Sequence, residues 1–251
     1  MTFTNTTTGR VTGYQWDFGD QATSVVTHPC DPLSRLTGAF YSTGEQFEYA
    51  YDGVGNRTTY TVTLGSTTVT TCTYDAANRL TSVGDVAYTW DARGNLTNDG
   101  TFTYTYNTAG RLVGAQSLTA TLVYTYNGDG LRVAQQMTGT VTTFAWDLAL
   151  PLAQMLTTGD GARDLYGLGR IAEVQESAWA YVLPDALGSA RQWADGGGVV
   201  AYARGYAPYG EPLWQEGNTT SAWGFTGEWY SNSSGTLLFC FASSRVPCYN
   251  L

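Results

Sequence analysis

The chain has 251 residues and a formal net charge of −9, and 14% of its residues are aromatic while only 13% are charged. This composition excludes an intrinsically disordered chain, and the acidic balance argues against binding to nucleic-acid phosphates. No stretch approaches the roughly 18 apolar residues of a membrane span, and the N-terminal MTFTNTTTGR lacks the pattern of a signal peptide.

A short motif recurs along the first two thirds of the chain. It consists of two aromatic residues spaced two apart, then Asp or Asn, a small stretch with Gly, Arg or Asn, and an apolar residue. Weaker copies at 14–25 and 30–40 come first, and a decayed copy at 142–152 comes last. The clear copies between them are YAYDGVGNRTTY (49–60), CTYDAANRLTSVG (72–84), YTWDARGNLTNDG (88–100), YTYNTAGRLVGAQ (104–116) and YTYNGDGLRVAQQ (124–136). Such self-similarity is typical of tandem repeats.

Each copy predicts a β-hairpin. The two aromatics lie on one face of a strand, the Asp or Asn closes a turn through its side chain, and the loop is short and often bulged. A Gly then supplies a positive φ angle, at Gly55, Gly94, Gly110 and Gly130. The return strand is predicted to begin at the next apolar residue, which is Leu80, Leu96, Leu112 or Leu131.

These hairpins predict an all-β fold of tandem antiparallel β-hairpins from about residue 10 to about residue 215, with little or no helix. We expect these hairpins to form a twisted, curved, open sheet with free edges. Free strand edges expose unpaired backbone groups, so self-association of the isolated chain through its sheet edges is also predicted.

Arginine recurs at or near one position of the motif, at Arg57, Arg79, Arg111 and Arg132. Each lies beside an acidic or amide turn residue and an aromatic residue. This neighbourhood favours a structural role, stacked on a Tyr ring or paired with the turn Asp, over a row of ligand-binding arginines.

Few residues of the sequence are candidates for catalysis or metal binding. The cysteines form no C-x-x-C pair, and Cys30 and Cys72 are predicted to fill buried apolar positions. His28 is the single histidine and is predicted to be an exposed loop residue. Asn127 and Asp129 resemble part of a calcium loop, but the remaining ligands are missing. Acidic residues cluster at turns, so we predict no catalytic residue, no metal site and no cofactor.

The second half of the chain carries further motifs, namely YGLGRIAEV (166–174), YVLPDALGSARQWADGGGVVAYARGYAPYGEP (181–212) and GFTGEWYSNSSGT (224–236). Together with YDGVGNR and YDAANRL, they resemble the Rhs/YD-repeat family and its core region. The resemblance implies a spiralling sheet of hairpins. In long members of the family this sheet winds into a hollow β-shell around a C-terminal toxin, or forms a teneurin-like structure at the cell surface.

The motifs divide the chain into a hairpin array (1–165), a core-like segment (166–236) and an atypical C-terminal tail (237–251). The tail LLFCFASSRVPCYNL departs from the family pattern, and no aspartate follows Asp195, so the self-cleavage aspartates of the family have no match. A truncation and a reading-frame change both explain this tail, which is expected to pack less well than the repeats.

Two functions follow from this reading. The first is a non-catalytic, structural or encapsulating segment of a longer secreted or surface protein of polymorphic-toxin type, whose partners are the rest of that chain or its toxin cargo. The alternative is a module that binds surface glycans or partner proteins through its aromatic residues. Burial of the repeat aromatics would argue against a sugar platform built from them.

Overall fold

The computed structural model describes residues 13–16, 24–149, 153–159, 161–167, 169–175, 177–218 and 221–229, with side chains from residue 28 onward. The chain divides into two compact units, Met1–Thr89 and Trp90–Leu251. The domain bounds inferred from the sequence motifs stay a prediction.

The first unit contains an antiparallel sheet of eight strands, in which each strand pairs with the next strand along the chain. The strands are β1 (Gly13–Trp16), β2 (Ser24–Thr27), β3 (Gly38–Phe40), β4 (Gln46–Tyr51), β5 (Arg57–Leu64), β6 (Ser66–Tyr74), β7 (Leu80–Val83) and β8 (Val86–Ala87). Its buried residues are Ala39, Phe47, Tyr49, Cys72 and Leu80.

A second antiparallel sheet has fourteen strands, again paired in chain order. The strands are β9 (Thr89–Trp90), β10 (Leu96–Asn98), β11 (Thr103–Tyr106), β12 (Leu112–Gln116), β13 (Thr121–Tyr126), β14 (Arg132–Met137), β15 (Thr140–Asp147), β16 (Gln154–Thr158), β17 (Arg163–Tyr166), β18 (Arg170–Gln175), β19 (Ala178–Pro184), β20 (Ala190–Ala194), β21 (Val200–Tyr206) and β22 (Pro212–Gly217). One 3-10 turn, Phe225–Gly227, follows them.

The predicted all-β class and its tandem antiparallel hairpins are therefore confirmed. Across the described segments the 3-10 turn is the only helical element. No helix in those segments is long and apolar enough to cross a membrane. The expectation for the tail 237–251 lies outside the described residues.

Alternation along the strands explains how the hairpins bury a core. Buried and exposed side chains alternate along the first five residues of β4 and β13, and β11 buries Tyr104 between two exposed threonines, so the first aromatic of these three motif copies points inward. Tyr49, Tyr104 and Tyr124 are only 8%, 6% and 3% exposed, respectively. The second aromatic is half-buried, because the register of each strand pair shifts by a bulge at that residue, as between Thr105 and Tyr106.

Candidate functional site

The turn that follows the two aromatics is held by the side chain of its Asp. Asp75 Oδ1 accepts the backbone N–H groups of Ala77 at 2.8 Å and Arg79 at 3.0 Å. Its other oxygen, Oδ2, pairs with the Arg79 guanidinium at 2.7 Å. This Asx geometry satisfies turn donors that the sheet ladder leaves open. The same two backbone bonds, to the second and fourth following residues, are made by Asp31, Asp52, Asp91, Asn107, Asp185 and Asp195.

The positive φ angle predicted at the end of the turn is present. Its values are 99° at Gly55, 83° at Gly94, 75° at Gly110 and 89° at Gly130. Where the motif has no glycine, Asn78 takes this place with φ of 58°. Asparagine tolerates the left-handed region better than most side chains, so the turn keeps its shape.

A second regular contact joins neighbouring turns at the same edge of each sheet. The aromatic residue just before one turn donates a hydrogen bond to the carbonyl five residues after the Asp or Asn of the adjacent turn. The pairs are Tyr51 to Leu36, Tyr74 to Arg57, Tyr126 to Leu112, Trp146 to Arg132 and Tyr206 to Ala190, at 2.7 to 3.0 Å. The decayed copy at 142–152 and the core-like segment thus use the same connection as the clear repeats.

The motif arginines occupy two adjacent positions of the motif. Arg79 and Arg111 lie four residues after the turn Asp or Asn, where Arg79 forms its ion pair. Arg57 and Arg132 lie five residues after it, in the apolar position, and their guanidinium groups stand over aromatic rings. The Arg132 guanidinium lies 4.2 Å from the Tyr124 ring centroid and its side chain is 3% exposed.

The start of one return strand was also predicted wrongly. Leu131 was expected to begin it, but β14 begins at Arg132 and Leu131 is only half-buried. In GRL (110–112) the arginine precedes the apolar residue, whereas in GLR (130–132) the order is reversed. The fifth residue after the turn Asn faces the core in both motif copies. The buried residue is therefore Leu112 in the copy at 104–116 and Arg132 in the copy at 124–136.

A buried charged cluster lies between β17 and β18. Asp164 and Glu173 are directly opposite each other in the strand register, and Arg170 Nε lies 3.2 Å from Asp164 Oδ1. The Arg170 and Asp164 side chains are 11% and 5% exposed, respectively. Glu173 accepts a 2.9 Å hydrogen bond from Ser221 Oγ, and the Arg170 guanidinium stands 3.0 Å from the Trp223 ring centroid. Asp164 and Glu173 lie on strands and are therefore exceptions to the prediction that acidic residues gather at turns.

Burial controls the ionisation of this cluster. It raises the pKa of Asp164 to about 7, with the Arg170 charge opposing and the Glu173 charge adding to the shift. Burial also raises the pKa of Glu228, again against the attraction of Arg170. Arg170 thus attracts both the Asp164 and the Glu228 carboxyl groups, while the low-dielectric setting disfavours their ionised forms.

The remaining candidate residues have ordinary surroundings. Cys72 is buried as predicted, whereas Cys30, which forms an isolated bridge with Leu36, is exposed rather than buried. His28 is half-buried rather than exposed, and burial lowers its pKa. Asn127 Oδ1 accepts the Leu131 N–H at 2.9 Å, which is a turn contact.

Metal and sugar sites were also considered from the sequence. Within the described ranges no group of three or more His, Cys, Asp and Glu side chains is placed to hold a metal ion. Tyr49, Tyr104 and Tyr124, the first aromatics of three repeat copies, are buried, which argues against a sugar platform built from them. In these repeats the aromatic rings form the core.

Known proteins share this arrangement of hairpins. No curated protein matches the chain. Among the solved structures that resemble it in fold are the crystal structures of TcdB2-TccC3-Cdc42 and of TcdB2-TccC3. They are 16% and 15% identical in sequence, with TM-scores of 0.51 and 0.52 over 88% of this chain.

This chain spans only 15% and 16% of the length of those two structures. The model of the Teneurin YD-shell family matches residues 1–242 of the sequence. That match covers nearly the whole chain, including both the hairpin array and the core-like segment. The chain therefore belongs to the Teneurin YD-shell family.

Proposed function

We propose that this chain is a non-catalytic wall segment of a longer, secreted or surface YD-shell protein of polymorphic-toxin type. The observation that carries the proposal is the hydrogen bond that joins one turn to the next. It recurs along the chain, from the bond of Tyr51 to Leu36 to the bond of Tyr206 to Ala190. Because this contact involves only two neighbouring hairpins, it can form in an array of any length, and the sheet extends by adding hairpins. The family match and the fold of the TcdB2-TccC3 structures support the same role.

The partners that fit this role are the remainder of the same chain and a C-terminal toxin cargo. A sheet that spans about 15% of the related structures supplies part of a wall, and neighbouring hairpins of the longer chain would cover its end strands. Self-association of the isolated chain through those edges stays a prediction on the same physical ground. Absence of turnover is part of the proposal, since the described polar clusters serve turns and packing.

Protease protection tests the proposed role in the full-length protein that contains this chain. An epitope tag at the end of the cargo reports its cleavage by proteinase K. We expect the enclosed cargo to survive at least about tenfold longer than the same cargo expressed alone, because cleavage must wait for the wall to open.

The matched control is a full-length protein carrying Leu122→Ala, which weakens the buried array and should shorten cargo survival. Leu118→Ala alters a fully exposed leucine four residues away and should leave survival unchanged. Equal cleavage of enclosed and isolated cargo would refute encapsulation.

A further inference from the structure

A short segment after the last strand, which we call the strap (residues 221–229), returns to the face of the second sheet that carries its buried side chains. Trp223 of the strap is 6% exposed and belongs to the same hydrophobic cluster as Phe144 and Tyr202 of the sheet. The Trp229 ring packs edge to face on Phe144, with ring centroids 5.6 Å apart. The strap therefore joins β15 to β21, two strands that are not neighbours in the sheet.

The middle of the strap is held to the sheet in a strained backbone conformation. The Ala190 N–H donates to the Gly224 carbonyl at 2.9 Å, and the Thr226 N–H donates to Ser189 Oγ at 3.0 Å. Thr226 has φ of 52°, which is unfavourable for a β-branched residue. Such strain persists only where the surrounding contacts enforce it. The docked strap is thus biased toward opening once its other contacts weaken.

The strap also covers the buried charged cluster between β17 and β18. The Trp223 ring centroid lies 3.0 Å from the Arg170 guanidinium, and the Trp223 side chain hydrogen-bonds the Asp164 carboxyl group. Ser221 Oγ of the strap donates to Glu173 Oε2 at 2.9 Å. The Asp164 side chain is only 5% exposed. Undocking of the strap therefore opens this cluster to water.

The strand register places the strap and the charged cluster on one face of the sheet. Asp164 lies directly opposite Glu173, and Glu173 lies directly opposite Ala180 on β19. Ala180 and Val182 are two residues apart on that strand, and both pack in the cluster that contains Trp223. Directly opposed residues, and residues two apart on one strand, share a face of the sheet. The same strap residue thus reaches both the apolar cluster and the charges.

Negative groups outnumber positive ones at this contact. The titratable and charged groups are Asp164 and Tyr166 on β17, Arg170 and Glu173 on β18, and Glu228 on the strap. Arg170 is the one base among these five, and an uncompensated charge is costly where water is excluded. Burial accordingly raises the pKa of Asp164 to about 7, with the Glu173 charge adding to the shift, and burial also raises the pKa of Glu228.

From these contacts we propose that the strap is a proton-controlled latch, which stays docked while carboxyl groups at its contact with the sheet hold a proton and undocks as they ionise. A carboxyl group that is a weaker acid in the docked state favours docking in acid, and this preference is lost as the pH rises to neutrality. The latch is therefore closed in mildly acidic solution and loosens toward about pH 7. The inference goes beyond the wall function, since the latch acts within this chain whether or not a cargo is enclosed.

Hydrogen–deuterium exchange of the whole chain at about pH 5 and about pH 7 tests the latch, with protection factors correcting for the intrinsic pH dependence of exchange. We expect protection of residues 221–229 and of Ala190 to fall at least about tenfold between these two values. One proton bound only in the docked state changes the opening equilibrium by up to about tenfold per pH unit. Peptides covering 121–137 should stay at least about tenfold better protected than the strap at both values, because undocking leaves those strands paired.

Two variants remove the ionising groups. Asp164→Asn should abolish most of the loss of strap protection at about pH 7. Glu228→Gln alters the strap itself, should reduce the loss, and decides the matter if the buried substitution prevents folding. The matched control is Asp195→Asn, the same chemical change in the turn between β20 and β21, where Asn107 shows that an amide fits. This control should lose protection as the parent chain does.

Three results would overturn the latch. The first is equal protection of the strap at both pH values, and the second is equal protection of the strap and of residues 121–137, which would show that the strap opens only by global unfolding. The third is that every folded variant among Asp164→Asn and Glu228→Gln keeps the full loss of the parent chain.

Discussion

Replacing Arg170 with alanine should lower the free energy of unfolding by about 3–5 kcal/mol, because it leaves buried carboxyl groups without their cationic partner. Arg170 lies 3.2 Å from Asp164, donates to the Tyr166 hydroxyl at 3.1 Å and covers the Trp223 ring. The substitution therefore removes an ion pair, a hydrogen bond and a packing contact together. Urea unfolding of the isolated chain measures the loss.

The pH dependence of stability distinguishes the effect of the Asp164 charge from the effect of the Arg170 packing contacts. A carboxyl group whose pKa is raised in the folded state stabilises the fold below its unfolded pKa, and this contribution disappears as the pH rises through the folded value. Burial raises the pKa of Asp164 from 3.8 to about 7, so stability should fall between about pH 4 and about pH 7. Asp164→Asn should flatten this fall.

The turn carboxylates act in the opposite direction. The backbone N–H and guanidinium of Arg79 lower the pKa of Asp75, so its stabilising contribution is present above the ordinary value of 3.8 and is lost in stronger acid. Stability should thus be greatest in mildly acidic solution. A loss below about 1 kcal/mol for Arg170→Ala, or an unchanged pH slope for Asp164→Asn, would contradict this account of the cluster.

Leu122→Ala should lower the free energy of unfolding by about 2–5 kcal/mol, as expected for a large apolar side chain removed from a packed core. Leu122 is 1% exposed and lies on β13, opposite Met137 on one side and Ala115 on the other. The side chain therefore connects three consecutive strands of the array. Truncation to alanine therefore leaves a cavity among these strands.

Leu118→Ala provides the comparison. Leu118 belongs to the loop between β12 and β13 and is fully exposed, so its truncation should change stability by no more than about 0.5 kcal/mol. Urea titrations of both variants measure the two changes in the free energy of unfolding. Similar losses for the two leucines would show that the inward face of the array has been assigned wrongly.

Local signals made the hairpins predictable from the sequence. Aromatic residues that are two positions apart lie on one face of a strand. An Asp or Asn followed by a residue with positive φ closes a turn, as at Asp91 and Gly94. These are short-range effects that a single segment encodes. The bulge at the second aromatic also follows from the short loop, although its position before every turn was not predicted.

Long-range contacts explain what the sequence did not show. The same core position holds Leu112 in one motif copy and Arg132 in another. Because the order of Arg and Leu is reversed between the two copies, the sequence alone did not show which residue is buried. Asp164 and Glu173 are nine residues apart and meet only through the pairing of β17 with β18.

Cryo-electron microscopy of the full-length protein containing this chain tests the wall assignment most directly. The account predicts that strands β10–β22 run in chain order within the wall of a shell, continuous with hairpins of the remaining chain, and that density for the cargo lies inside. A map in which residues 96–217 form a separate domain, outside any enclosure and unpaired with neighbouring hairpins, would contradict it.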